Sequence, residues 1–270
     1  MPNSTEIESL IQEVQNSSKY ANLPPSLVNK IGTEELKKHG TVAEALKPTR
    51  TKLHQLVGAF IPHKLDYTKW LAILKHSLQS NACEHLNTLK QIMRLHASTN
   101  ERLPYLERVY QELFTLFPKP KSILDLACGL NPLAIPWMPI DSTCAYRAGD
   151  VVLPMLDFLK QYFAFSRPQT EIMLCDLLDF TPDEQFDLIM ILKTFPLLAQ
   201  IEKQAPERLL NDLKFNHLLI SYPLKSLSNR SKGMERTYRG QFERLIEGKP
   251  FKVVEYALPN ELFFLISHEN

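Results

Sequence analysis

Glycine is scarce in this sequence, eight residues in 270, and nowhere do three of them fall into the Gly-x-Gly-x-x-Gly spacing that lets backbone wrap a pyrophosphate. That absence counts against a dinucleotide cofactor. No P-loop, no Ser-His-Asp order and no catalytic carboxylate pair stands out either. Cys83, Cys128, Cys144 and Cys175 contain no Cys-x-x-Cys pair, and three of them lie in or beside apolar runs, as buried reduced thiols do. A disulfide framework and a structural metal site are therefore not expected. Long hydrophobic runs are missing, since Lys, Pro or Asp breaks each one well before membrane-spanning length. The opening residues, Met1-Pro2-Asn3-Ser4-Thr5-Glu6-Ile7-Glu8, hold neither a basic stretch nor an apolar one. The expectation is a cytoplasmic chain, monomeric, with no membrane and no metal.

Net charge is only +1, which alone says little about partners, but its distribution is uneven. Residues 1–105 carry 13 Lys and Arg against 9 Asp and Glu and hold six of the eight histidines, while residues 106–270 carry 18 against 21. A basic front half joined to a mildly acidic back half fits one face on phosphate and another around a small cofactor, although ordinary solvated surface fits as well.

The first third reads as helices, over 6–14, 34–38, around Lys52-Leu53-His54-Gln55-Leu56-Val57, and over 67–78 and 83–95, because apolar residues recur at three and four. Pro24-Pro25 and Pro62 punctuate them. From residue 121 short apolar runs alternate with helical stretches, the pattern of βαβ units around a parallel sheet. Strands are expected over 122–126, 143–148, 171–175, 186–191 and 217–221. Two more, 251–256 and 262–266, are separated by a link too short for a crossover, so they pair antiparallel. Five alternating strands and a closing hairpin give the α/β order of a class I methyltransferase, a Rossmann-like seven-stranded sheet, behind an N-terminal all-helical domain. The division falls at residues 1–105 and 106–270.

Chemistry is expected beyond the carboxyl ends of the strands, where open α/β sheets bind ligands. Asp125-Leu126-Ala127-Cys128-Gly129-Leu130-Asn131-Pro132 is a strand end, a tight turn and a helix start. Gly129 lets backbone approach a ligand, and Asn131 tolerates left-handed dihedrals. A cofactor without phosphate suits this loop. Asp150 and Asp176 end the next two strands; one carboxylate can accept both ribose hydroxyls and the other the exocyclic amine of adenine, or either can cap a helix. Arg102 follows His96-Ala97-Ser98-Thr99-Asn100-Glu101 and can clamp a carboxylate, or pair with Glu101 or Glu107. His96 is either a site residue or a packed one. After strand five, Lys225, Ser226, Arg230, Lys232 and Met234 lead into a helix bearing Arg236, Arg239 and Arg244, placed to contact RNA phosphates or only solvent.

These pieces, in this order over nearly the whole chain, resemble the 16S rRNA guanine-N7 methyltransferases of aminoglycoside resistance. The resemblance is carried by 96–102, by the 125–137 loop with Asn131-Pro132-Leu133-Ala134-Ile135-Pro136-Trp137, by Leu192-Lys193-Thr194, by 225–234 and by Asn260-Glu261-Leu262. It departs from the family pattern at Val152, where a second acid is common, and at Pro259, where a glycine is. The resemblance implies S-adenosyl-L-methionine as cofactor, held by His96, Arg102, Asp125, Cys128, Gly129, Asp150, Val151, Asp176, Leu177 and Lys193. Arg102 would take its carboxylate, Asp150 its ribose and Asp176 its adenine. It also implies the 30S ribosomal subunit as partner, docked by the helical domain and by Lys225, Ser226, Arg230, Lys232 and Met234. No residue is singled out as a proton-transfer catalyst, because guanine N7 already carries a lone pair.

Overall fold

The computed structural model describes residues 2–58, 65–180, 182–224 and 233–269. Every described element before residue 121 is helical: α1 (Ser4–Gln15), α2 (Pro25–His39), α3 (Val42–Leu53), a single π-helical turn at His54–Gly58, α4 (Tyr67–Gln79), α5 (Ala82–Met93), α6 (Ala97–Arg102), a 3-10 turn at Leu103–Tyr105 and α7 (Leu106–Leu113). Side-chain caps fix several of the starts. Asn3 and Glu6 close a capping box on α1, and Thr41, Asp66 and Asn81 each accept the N–H three residues on. Helix α2 begins well before residue 34, because Pro25 stands at its first helical position, where a missing N–H costs nothing. The short helices α6 and α7 are not evident from the sequence period.

The sheet has seven strands, β1 (Ser122–Leu126), β2 (Ala145–Asp150), β3 (Thr170–Leu174), β4 (Gln185–Leu192), β5 (Lys214–Pro223), β6 (Phe251–Leu258) and β7 (Glu261–His268), in the order β3-β2-β1-β4-β5-β7-β6. The first five are parallel, and β7 runs antiparallel to both β5 and β6. Alternation along each strand feeds two cores. In β4, Leu188, Met190 and Leu192 face one core while Ile189 and Ile191 face the other. Helices α4, α5 and α7 join α8 (Leu153–Ser166) on the first face, through Leu74, Leu89, Val109 and Leu159. Helices α1 and α2 join α9 (Phe195–Ile201), α10 (Ala205–Asp212) and α11 (Met234–Ile246) on the second, through Leu10, Val28, Ile31, Leu198, Leu209 and Phe242. The N-terminal helices thus complete both layers of one sheet. Among the described residues no helix is long and apolar enough to cross a membrane.

The helix start expected after β1 is there, and one expectation about the loop needs correction. The segment Asn131–Trp137 is a 3-10 helix, in keeping with Pro136 inside it, which lacks the N–H a longer α-helix would need. The left-handed residues of the loop are Ala127 (φ 51°) and Gly129 (φ 52°); Asn131 opens the 3-10 turn and uses its side chain instead.

Candidate functional site

Strand order reverses between β1 and β4, and the crevice beyond the strands' carboxyl ends at that point holds a cleft of about 760 Å³, including its open mouth. Ala127, Asp150, Val151, Val152, Cys175, Asp176, Leu177, Leu192 and Thr194 reach it from the sheet side, and His96 and Ser98 from the start of α6. Leu27, Leu56 and Val57, from α2 and the π turn, also line it.

Asp150, at the last position of β2, receives the Gly129 N–H on Oδ2 (2.9 Å) and the Val151 and Val152 N–H groups on Oδ1 (2.7 and 3.2 Å). Val152 thus contributes backbone to the same carboxylate. Burial pushes Asp150 up from the ordinary carboxylate value, and the three N–H groups pull it back only in part. Asp176 accepts the Leu178 N–H on Oδ1 (3.0 Å), while its buried Oδ2 has no hydrogen-bond partner among the described residues. An uncommitted carboxylate oxygen in a cleft wants a donor. A neutral sugar and an amine-bearing base supply one, whereas a polyphosphate beside two carboxylates would be repelled. The donor set therefore fits a nucleoside-type cofactor without phosphate.

His96 packs its ring on Gly129. A Cβ added at Gly129 would lie 2.6 Å from His96 Cε1, at a φ that side chains rarely adopt. Gly129→Ala is therefore expected to cost about 1–2 kcal/mol in backbone strain alone, with the clash on top, read as a lowered urea midpoint; an unchanged midpoint would show that the loop relaxes freely. Burial, then Arg102 and Lys193 nearby, push His96 down to about 4, so its ring is neutral at pH 7.

Arg102 lies below the cleft, 1% exposed. Its Nε and Nη2 donate to Glu261 Oε2 and Oε1 (3.1 and 2.7 Å), and Nη1 donates to Asn131 Oδ1 (3.0 Å). The partner is neither Glu101 nor Glu107, but the first residue of β7. Glu261, 0% exposed, also accepts from Ser221 Oγ (2.6 Å) and lies 3.4 Å from Lys193 Nζ, which pairs with Glu101 (2.6 Å). On the far side, Asn131 accepts from the Tyr110 hydroxyl and donates to Asp125 Oδ2 (2.9 Å), which also accepts from Tyr146 (2.8 Å). Asp125 and Lys193 are therefore members of a buried polar network rather than of the cleft lining. Lys193 sits in the left-handed region (φ 60°), held there by its N–H donating to Ser221. Cys128 is buried, and its thiol donates to the Gly129 carbonyl (3.5 Å). Lys225, Ser226, Arg230 and Lys232 fall outside the described residues, and Met234 begins α11. Sequence reading assigned no role to Glu261, Tyr110, Tyr146 or Ser221 and missed the cleft residues Leu27, Leu56 and Val57. A lone acid opening a strand offered the one readable signal, since charge at a strand start in a central sheet needs a partner.

The family model "Ribosomal RNA methyltransferase (FmrO)" matches residues 16–265. A protein from Serratia marcescens named 16S rRNA (guanine(1405)-N(7))-methyltransferase is 33% identical over 266 residues, covering 96% of this chain and 98% of its own. One from Micromonospora rosea with the same name is 31% identical over 263 residues, covering 96% of each. The crystal structure of the 16S rRNA methyltransferase RmtF in complex with S-adenosyl-L-homocysteine superposes with a TM-score of 0.84 at 26% identity, covering 99% of this chain and all of that one.

Proposed function

This chain belongs to the FmrO family of ribosomal RNA methyltransferases, and from that premise we propose that it moves the methyl group of S-adenosyl-L-methionine to N7 of a decoding-site guanine of 16S rRNA in the 30S subunit, conferring aminoglycoside resistance. The observation that carries the reading is the pair Asp150 and Asp176 in a cleft at the switch point, with Asp176 Oδ2 lacking a partner among the described residues. The relatives' name, with guanine 1405 as its target, supplies the substrate.

The residues divide the cofactor between them. Asp176 Oδ2 accepts the adenine amine, Asp150 takes the ribose hydroxyls, and Val151 and Leu177 flank them. Arg102, buried outside the cleft lining and bonded to Glu261 and Asn131, meets the carboxylate only through the N–H groups those bonds leave on Nη1 and Nη2, next to neutral His96 and Gly129. Asp125, Cys128 and Lys193 act from behind, by fixing the loop and the arginine. The cofactor's sulfonium supplies an electrophilic methyl group. Guanine N7 supplies its own lone pair, so no base is needed and the protein's task is alignment within near-attack distance. Since N7 sits in a helical RNA, local distortion of the guanosine accompanies binding. Residues 1–105 dock on the subunit and also lend His96 and Arg102 to the cofactor, which 106–270 otherwise hold, with Lys225, Ser226, Arg230, Lys232 and Met234 meeting RNA beside the cleft. The enzyme acts as a cytoplasmic monomer.

The test is methylation of purified 30S subunits with radiolabelled cofactor, mapping the product by reverse-transcription stops after borohydride and aniline, which cleave at N7-methylguanosine. One new stop at the decoding-site guanine is expected, with the cofactor kcat/KM falling at least roughly tenfold in Asp176→Ala. Tight 30S binding without incorporation would sink the enzyme reading and leave a ribosome-binding relative.

A further inference from the structure

The cleft is built from two parts of the chain that the sequence keeps far apart. The loop after β3 presents Asp176, Leu177 and Leu178 to it, and facing them are Leu27 of α2 and Leu56 and Val57 of the π turn. One helical turn beyond Leu27, on the same face of α2, Lys30 donates to the Leu178 carbonyl (2.8 Å) and to Asp179 Oδ1 (3.0 Å), and pairs with Glu202 (3.1 Å). Arg208 of α10 donates to the same carbonyl (2.7 Å). The loop that carries Asp176 is therefore gripped from the helical layer as well as from its own, and the Leu178 side chain, 3% exposed, closes against the core that Leu27 shares.

We infer that α2 and the π turn form the adenine-side wall of the cofactor site, with Leu27, Leu56 and Val57 as its apolar contacts and Lys30 as the residue that positions the Asp176 loop. The inference rests on the reading of the cleft given above and adds to it a contribution from the N-terminal helices. It has a thermodynamic consequence. A cofactor that contacts α2 favours the arrangement of α2 that makes those contacts, and reciprocity requires that whatever else holds α2 in that arrangement tightens the cofactor by the same factor. A substrate docked on the N-terminal helices is one such agent.

The experiment measures dissociation constants of the full chain for two ligands, S-adenosyl-L-homocysteine and 5′-methylthioadenosine, which keeps the adenine and ribose but lacks the carboxylate. Lys30→Met retains the aliphatic stem without the charge, Lys30→Arg restores a donor, and Val57→Ala trims a half-buried wall residue with little risk to folding. Lys30→Met is expected to weaken both ligands roughly tenfold, Lys30→Arg to recover most of that, and Val57→Ala to weaken both at least about fourfold, the worth of one buried methylene. Hydrogen exchange in α2 should slow when S-adenosyl-L-homocysteine binds. Unchanged affinities in Lys30→Met and Val57→Ala, a loss seen for S-adenosyl-L-homocysteine alone, or protection confined to residues after 106 would each overturn the inference while leaving the cleft reading in place. Failure of the unaltered chain to bind S-adenosyl-L-homocysteine would overturn the cleft reading, and the inference with it.

Discussion

Glu261→Ala should lower the stability of the fold by about 3–5 kcal/mol and abolish methylation, the largest single effect expected outside the hydrophobic cores. The reason is the company this carboxylate keeps. Arg102 spends two donors on it, Ser221 a third, and Lys193 stands 3.4 Å away, so that this one anion answers Arg102 and shares Lys193 with Glu101. Burial alone would push the Glu261 carboxyl up, but Arg102 and then Lys193 hold it below the ordinary value. Burial likewise works against the charge on Arg102, and Glu261 outweighs it, keeping the guanidinium protonated. Without Glu261, Arg102 becomes a fully buried, uncompensated charge, because Asn131 offers it only a neutral oxygen. Two comparisons separate charge from shape. Glu261→Gln keeps the volume and should lose nearly as much, whereas Arg102→Met combined with Glu261→Gln should recover part of the loss by removing the stranded cation. Urea unfolding of the three variants measures this. A double variant no more stable than Glu261→Ala would show that the pair's energy is not electrostatic.

Why this centre was only half legible follows from its connectivity. Asp125, Asp150 and Asp176 could be read because each stands at or within two residues of a strand's end, and a strand end in a parallel sheet has a known destination. The terminal hairpin could be read because two residues, Pro259 and Asn260, leave no room for a crossover. Arg102 was legible as a charge in search of a partner, but its partner lies 159 residues away. Such pairing depends on β7 inserting between β5 and β6, which no local pattern encodes. The roles of the acids diverged for the same reason: Asp150 and Asp176 line the cleft, while Asp125, in the middle of the sheet beside β2 and β4, is covered by the Asn131 turn and the Tyr146 side chain. Helices α6 and α7 escaped because six and eight residues are too few for a period to establish itself. The wall formed by Leu27, Leu56 and Val57 escaped because an apolar residue on a helix looks the same whether it meets core or ligand.

Asp125 sets the second large effect, a dependence of stability on pH. Burial pushes its carboxyl up to about 7, more than the hydrogen bonds from Asn131 and Tyr146 and the attraction of Arg102 pull it down. The unfolded chain ionises this group near 3.8. Between those values the folded state holds a proton that the unfolded state has lost, so stability falls as pH rises. The contribution of the neutral acid is complete below 3.8 and is lost as pH passes about 7; a difference of about three pH units is worth at most about 4 kcal/mol. Glu261 has the opposite sign, since its lowered value yields stability that is present above its ordinary 4.5 and lost as pH falls through the folded value. Above about pH 5 its contribution is therefore flat and does not mask the slope. Asp125→Asn keeps an oxygen for Asn131 and Tyr146 while removing the titration. Its stability relative to the unaltered chain should rise by a few kcal/mol between about pH 5 and pH 8, because Asp150 and Asp176 titrate in both proteins and cancel in the difference. Urea midpoints across that range decide the matter: curves that run parallel would mean that Asp125 stays ionised in the folded protein and that the network around Asn131 carries its charge.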